Sequence, residues 1–172
     1  MAVGLVGLGS EVPFARELAS AVKKEFKVEA KVLGVVPLDG KALEPSRGQY
    51  DAERLLKGLG GEWLSNWGEW GKFGKVLGVA SVDLFVPGMT FVFGLSVLGG
   101  RSGVVSTARL KGDKGKLRLR LVKEVLHEIG HLFGLRHCEN EKCVMWFSDS
   151  IAEVDKKKAG LCAECRKKLK PL

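Results

Sequence analysis

The chain has 172 residues, of which 45% are hydrophobic, and this length suits one domain that buries roughly 68–70% of its unfolded surface. No apolar run approaches the roughly 20 residues that a membrane-spanning helix needs, so we expect no membrane partner. The net charge of +8 comes largely from residues 109–123 and 156–170, and no interleaved aromatic or base-reading motif accompanies it, so we expect a solvated surface and no nucleic-acid partner.

The N-terminal part predicts a strand, a helix and a second strand. Residues 3–8 are apolar, which predicts a buried strand. They lack the basic flank and the length of a secretory signal, so we expect a cytoplasmic protein. Ser10 is predicted to cap a helix that extends to about Glu25, with Phe14, Leu18 and Val22 spaced by four. Residues 28–36 predict the second strand.

The middle of the chain predicts three more strands and a long helix. Residues 37–50 predict a polar connection, and residues 51–59 a short helix. Trp63, Trp67 and Trp70 then occur among glycines at near-helical spacing, which favours a core face or a loop plug, with an aromatic flap over a cleft as the alternative. Residues 76–82, 90–98 and 103–110 predict strands, and residues 117–133 the long helix. This order predicts an α/β (α+β) fold.

All three histidines lie in one HExxHxxGxxH motif, at His127, His131 and His137. Positions i and i+4 share a helix face, so the first two imidazoles can point at one metal ion. Gly134 permits the positive φ that a helix end needs, and the resulting turn can bring His137 to the same ion. Three neutral ligands leave a tetrahedral position open, which is typical of a catalytic zinc.

Glu128 follows the first histidine and is rotated by about 100° around the helix, so it can lie beside the ion rather than on it. Such a carboxylate can act as general base toward water and pass the proton to a leaving amine. HExxH alone is short enough to occur by chance. The glycine and third histidine in register make the motif specific to a catalytic zinc site.

The four cysteines, Cys138, Cys143, Cys162 and Cys165, form two pairs separated by 18 residues. This spacing predicts a structural zinc site, and therefore two zinc ions per chain. The alternative is two disulfides, which the tight x2 spacing disfavours. The chain has only one Gln and two Asn, as in thermophile proteins, and hyperthermophile proteins do use intracellular disulfides.

The HExxHxxGxxH motif, followed directly by Cys138 and then by x4-Cys-x-Met and a distal CxxC, resembles the archaemetzincins, a family of metzincin-like metalloproteases. Residues 83–87 and 91–94 also resemble segments of that family. Met145 fits the methionine turn of metzincins. The spacer from Met145 to Cys162 has 16 residues, about one fewer than in the family pattern.

The resemblance implies one metzincin-like domain over residues 1–172. Its upper half, to about residue 134, would hold a twisted mixed sheet with helices, and its lower half, from about residue 135, would be held together by the structural zinc. It also implies the three histidines on a catalytic zinc, Glu128 as base and the four cysteines on the structural zinc. Residues 90–98 are then the candidate edge strand to which an extended peptide adds.

These observations predict a monomeric zinc-dependent metallopeptidase that acts on a peptide or protein substrate. Two alternatives remain open: a zinc-stabilised basic binding module with little turnover, and a zinc hydrolase of a non-peptide amide. Metzincins often place a tyrosine after the methionine turn to stabilise the transition state. The single tyrosine here is Tyr50, far upstream, so that group is absent from its usual position.

Overall fold

A five-stranded mixed sheet forms the centre of the computed structural model, which describes residues 2–61 and 73–169. Its strands are β1 (Ala2–Leu8), β2 (Glu29–Val36), β5 (Lys75–Ala80), β7 (Gly94–Ser96) and β8 (Ser102–Ser106). Their order is β2-β1-β5-β8-β7, and β7 alone is antiparallel to its neighbour. The predicted mixed sheet with an antiparallel edge strand is therefore confirmed.

A smaller sheet and several helices surround it. The smaller sheet joins β3 (Leu43–Glu44), β4 (Gln49–Asp51) and β6 (Leu84–Phe85) in that order. The helices in the described ranges are α1 (Ala15–Phe26), α2 (Ala52–Gly60), α3 (Lys114–Leu132), α4 (Ile151–Lys156) and α5 (Ala163–Lys168), with a short 3-10 turn at Gly40–Ala42. None of them is long and apolar enough to cross a membrane.

Alternating side chains of the main sheet supply two hydrophobic cores. On β1, Val3 and Leu5 belong to the core that contains α1, α3 and the C-terminal segment. Val6 and Leu8 point the other way, into the core that contains α2. This alternation follows from the two-residue period of a strand. The helix α3, which carries the HExxH motif, therefore lies on one face of the sheet, beside the edge strand β7.

The predicted cap of the first helix is wrong. The helix begins at Ala15 rather than after Ser10, and Phe14 precedes it in the left-handed region with φ 52°. Gly9 N donates to Val36 O, so the sheet ladder continues one residue beyond β1. The Ser10 hydroxyl lies 3.5 Å from that of Ser81 instead of reaching the helix. By contrast, Asp51 does cap the predicted short helix, because its Oδ1 accepts from the first-turn N–H groups of α2.

Other differences concern short elements. The predicted strands over residues 90–98 and 103–110 reduce to Gly94–Ser96 and Ser102–Ser106. The connection over residues 37–50 contains β3 and most of β4, which the sequence did not indicate. The helices α4 and α5 were not predicted either. The tryptophan-rich segment with Trp63, Trp67 and Trp70 lies outside the described residues.

Candidate metal centres and the adjoining cleft

The helix α3 and the turn after it bring the three histidines together. Asp113 caps the start of the helix by accepting from Lys116 N. At its other end Gly134 has φ 85°, as the motif predicts, and Leu135 N donates to Gly130 O. The turn brings His137 back toward the helix, and candidate ligand atoms of the three histidines lie within 4.8 Å of one another.

The hydrogen bonds of two imidazoles fix which nitrogen faces the cluster. His127 Nδ1 lies 2.8 Å from Val144 O, and His131 Nδ1 lies 2.7 Å from Leu135 O. A carbonyl oxygen can only accept, so each Nδ1 carries the proton and each Nε2 carries a lone pair. These two Nε2 atoms are 3.0 Å apart. Two facing lone pairs repel each other unless a cation lies between them.

Zinc fits this cluster. Zn–N distances of roughly 2.0–2.1 Å in a tetrahedral site place two ligand nitrogens about 3.3 Å apart, close to the observed separation. Burial lowers the pKa of His127 well below its ordinary value, and it also lowers the pKa of His131 and His137. All three imidazoles are thus kept in the neutral form that binds metal.

The carboxylate of Glu128 is buried beside this cluster and is held by the edge strand β7. Its exposed fraction is 4%, and Ser96 Oγ donates to Oε2 at 2.7 Å. Burial raises the pKa of Glu128 to about 8, and the Ser96 hydrogen bond opposes that shift. Gly94 makes room for the carboxylate, since a Cβ at that position would stand 2.6 Å from Glu128 Oε1. The carboxylate is therefore positioned by two residues of another element.

Sequence reasoning missed Gly94 and Ser96. Both lie on the predicted edge strand, and their spacing of two places them on one face of it. The sequence indicated only that Gly94 and Ser96 share a face of this strand. It did not indicate that this face contacts Glu128.

Met145, the residue predicted to form the methionine turn, packs against the helix α3 at Gly130. Its side chain is fully buried, and a Cβ on Gly130 would collide with its sulfur. Cys138 N donates to Met145 O at 3.0 Å. The absence of a side chain at Gly130, between the first two histidines of the motif, thus lets the turn pack closely under the helix.

The four cysteines also converge, and all four are free thiols. Their sulfur atoms lie within 4.8 Å of one another, and Cys138 Sγ is 3.8 Å from Cys162 Sγ. A tetrahedral site with Zn–S bonds of about 2.3 Å separates its sulfurs by about 3.8 Å, whereas a disulfide needs about 2.05 Å. The N–H of Cys165, at the start of α5, lowers the pKa of Cys162 to about 7. The cluster fits zinc, and the disulfide alternative is not observed.

A cavity of about 530 Å³ adjoins the histidine cluster. One wall comes from residues 86–98, which include β7, and the other from Phe147, Ser148 and Asp149 after the methionine turn. Phe147 packs edge-on against His137, with ring centroids 5.2 Å apart. Tyr50 lies in β4 and does not line this cavity. The cleft is thus open to a substrate between an edge strand and the candidate metal site.

Comparisons with known proteins agree with this geometry. The sequence model of peptidase family M54 matches residues 14–171. The archaemetzincin of Methanopyrus kandleri is 40% identical over 173 residues, which cover 96% of this chain and 93% of that protein. That of Archaeoglobus fulgidus is 39% identical over 154 residues, 89% of each chain.

Solved structures give the same picture. A crystal structure of the Methanopyrus kandleri archaemetzincin has a TM-score of 0.87 at 38% identity and covers 98% of this chain and 93% of its own. The Archaeoglobus fulgidus archaemetzincin, complexed with malonate, has a TM-score of 0.83 at 36% identity and covers 97% and 99%. A zinc-dependent peptidase from Methanocorpusculum labreanum has a TM-score of 0.85 at 30% identity and covers 98% and 100%.

Proposed function

The chain belongs to the archaemetzincins, peptidase family M54, and is a zinc metalloprotease; we propose that His127, His131 and His137 hold its catalytic zinc and that Glu128 is its general base. One observation above all supports this assignment. Two Nε2 lone pairs face each other at 3.0 Å beside a buried carboxylate and an open cleft.

The proposed mechanism assigns the proton transfers to Glu128. When bound, zinc would act as a Lewis acid that activates water and polarises the peptide carbonyl. Glu128 accepts the proton of the attacking water and delivers it to the leaving amine. Burial raises the pKa of Glu128, which makes its carboxylate a stronger base toward the proton of the attacking water. Ser96 donates to Oε2 and so fixes the carboxylate, which leaves Oε1 to exchange the proton.

The four cysteines are proposed to hold a second, structural zinc, which gives two ions per chain. Four thiolates close a tetrahedral coordination sphere and leave no position for substrate. This ion would stabilise the lower half of the domain, which we propose begins at about residue 135. The upper half would end at about residue 134. The short helix α5 of that lower half begins directly after Cys162 and contains Cys165.

The substrate is proposed to be an extended peptide that pairs with β7. Among the described residues this strand is at the edge of the main sheet, and it lines the cleft, so its outer backbone groups can pair with another strand. Four free cysteines fit a reducing compartment, so we expect a cytoplasmic enzyme, and we expect it to be a monomer. The low amide content supports a thermophilic source.

The test is cleavage of a peptide library by zinc-loaded protein, with products identified by mass spectrometry. We expect cleavage that a chelator abolishes and that added zinc restores. The Glu128→Gln variant should lose turnover while it retains the metal. Cleavage by that variant at the wild-type rate would refute the assignment of the base.

A further inference from the structure

A half-buried lysine joins the two sides of the cleft from outside the cavity. Lys75 is the first residue of β5, the middle strand of the main sheet, and it does not line the cavity. Its ammonium donates to Gly100 O at 2.9 Å and to Leu132 O at 2.6 Å. Gly100 belongs to the turn between β7 and β8, residues 97–101 (the β7–β8 turn), and Leu132 is the last residue of α3. Lys75 therefore connects the edge-strand hairpin with the helix that carries the first two histidines.

The chemistry of a helix end explains why a lysine is suitable here. The last carbonyl groups of an α-helix have no partner within the helix, and they form the negative end of its dipole. Lys75 gives Leu132 O both a hydrogen bond and a nearby positive charge. Its ammonium also lies 5.2 Å from the centroid of the Phe133 ring, where it gains a cation–π contact. One cation thus holds the end of α3 and the β7–β8 turn together.

Three links connect β7 and the β7–β8 turn with the last turn of α3, each between residues 32 positions apart in sequence. They join Ser96 with Glu128, Gly99 with His131, and Gly100 with Leu132. The first two are direct hydrogen bonds of 2.7 and 2.8 Å, and the third passes through the Lys75 ammonium. Because the links follow one another along both segments, they fix the distance between the strand and the helix.

This distance determines where a bound peptide lies relative to the histidines. A peptide that pairs with the outer edge of β7 must also place its scissile carbonyl at the histidine cluster. Leu98 in the β7–β8 turn and His131 near the end of α3 both line the cavity. A shift of the turn relative to the helix would therefore displace the peptide, and a displacement of about 1 Å costs about 10²-fold in rate.

We propose that Lys75 is a positioning residue of this peptidase, whose ammonium sets the gap between the strand that pairs with substrate and the histidine cluster. It contacts no reacting atom, because it lies outside the cavity. It acts through the β7–β8 turn and through the end of α3. This inference rests on the proposed function of the same cleft, in which an extended peptide pairs with β7.

The first test replaces Lys75 with methionine, which keeps an unbranched side chain of similar length but loses the ammonium. Two of the three links remain, so we expect a displacement well below 1 Å and a fall in kcat of about tenfold in zinc-replete protein. KM should stay close to the wild-type value, because β7 keeps its own pairing groups. A rise in KM at unchanged kcat, or no change in either constant, would overturn the inference.

Arg101→Met is the matched control. Arg101 lies in the same turn, but it donates to Phe73 O at 3.3 Å and not to α3. This variant should keep the wild-type kcat, and an equal loss in both variants would refute the specific role of Lys75. Folding is checked by zinc content and thermal melting. If Lys75→Met does not fold, Lys75→Gln takes its place, and its shorter, uncharged side chain should cause the same fall in kcat.

Amide hydrogen exchange measures the bridge itself and needs no turnover. The Gly99 N–H donates to His131 O beside the bridge, so its exchange in Lys75→Met should be at least about tenfold faster than in the wild type. The Ser106 N–H donates to Phe93 O at the other end of the hairpin and should keep its exchange rate. Unchanged exchange at Gly99 would refute the bridge.

Two metal-binding probes separate this inference from the proposed mechanism. Acetohydroxamate can bind only the zinc, whereas a peptide hydroxamate can bind the zinc and pair with β7 at the same time. By calorimetry, Lys75→Met should bind the peptide hydroxamate about tenfold more weakly than the wild type does, and acetohydroxamate equally well. If the wild type cleaves no peptide but shows this contrast with the variant, Lys75 sets the gap and the proposed mechanism fails. Equal affinity of both proteins for the peptide hydroxamate would overturn the role of Lys75.

Discussion

Replacing Gly94 with alanine tests whether the edge strand positions the proposed base. A Cβ at this position would stand 2.6 Å from Glu128 Oε1 and 2.8 Å from Glu128 Cδ. On the other side it would meet Val104 O at 2.7 Å. Val104 O is a backbone atom of β8 and cannot rotate away, so relief of both contacts requires β7 to shift from β8 and the Glu128 carboxylate to move.

The size of the effect follows from these distances. Ordinary contacts of a Cβ begin at 3.4 Å, so Glu128 Oε1 must retreat by about 0.8 Å and β7 must also separate from β8 at Val104 O. A displacement of about 1 Å at a catalytic group costs about 10²-fold in rate. Overpacking of this kind costs about 1–3 kcal/mol in stability. We therefore expect kcat/KM of Gly94→Ala to fall about 100-fold, together with a lower melting temperature.

The assay is peptide turnover by zinc-replete protein, with zinc content and melting temperature measured in parallel. Gly40→Ala is the matched control, because a Cβ there meets nothing within 4 Å. Ser96→Ala removes the hydrogen bond to Glu128 without a clash and should lower kcat more mildly. A folded, zinc-replete Gly94→Ala protein with wild-type kcat/KM would show that the geometry of Glu128 tolerates this displacement and that the reasoning is wrong.

Three further predictions concern the metals. Protein purified without chelator should contain two zinc ions per chain, with four thiols that become titratable after metal removal; one ion with oxidised cysteines would contradict the four-cysteine site. Glu128→Gln should retain both ions and lose turnover, whereas His131→Ala should retain only one, and metal analysis of the two variants distinguishes a base from a ligand. Cys162→Ser should lower the melting temperature and weaken zinc binding at the histidines by about 10–100-fold, whereas His127→Ala should leave the cysteine site filled. Zinc titration of both variants checks this asymmetry, and unchanged affinity at the histidines of Cys162→Ser would mean that the sites are independent.

The candidate ligands could be predicted because their relations are local. His127 and His131 are one helical turn apart, and a single glycine determines the turn to His137. The residues that surround these ligands come from distant parts of the sequence. Ser96 meets Glu128 across 32 positions of sequence. No periodicity in one segment tells which residues of another segment face it, and the same holds for Lys75 and Leu132.

The fold, like the site, was predictable from the sequence only in part. The long apolar strands and the amphipathic helix α3 were predictable because burial imposes their period on the sequence. The strand predicted over residues 90–98 is present, but it is only three residues long as β7, and the six-residue helices α4 and α5 are too short to display a period. The start of α1 was misplaced because Ser10 has the chemistry of a cap, but the sheet ladder extends to Gly9 and moves the helix start beyond it.

The two candidate metal sites share their backbone, which is the physical reason to expect coupling between them. Val144 directly follows Cys143, and its carbonyl oxygen lies 2.8 Å from His127 Nδ1 and so fixes the ring. Val144 N donates to Gly160 O, two residues before Cys162.

The segment that carries Cys162 is in turn fixed to the first helix. Glu25 is buried on α1 and accepts from Leu161 N at 2.9 Å, and its carboxylate pairs with Arg166. Loss of a cysteine ligand would free this segment only from the metal, while Glu25 still holds its other side. The fold should therefore survive Cys162→Ser with a lower melting temperature. The orientation of His127 should change as well, because its carbonyl partner Val144 is hydrogen-bonded to Gly160 in the loosened segment.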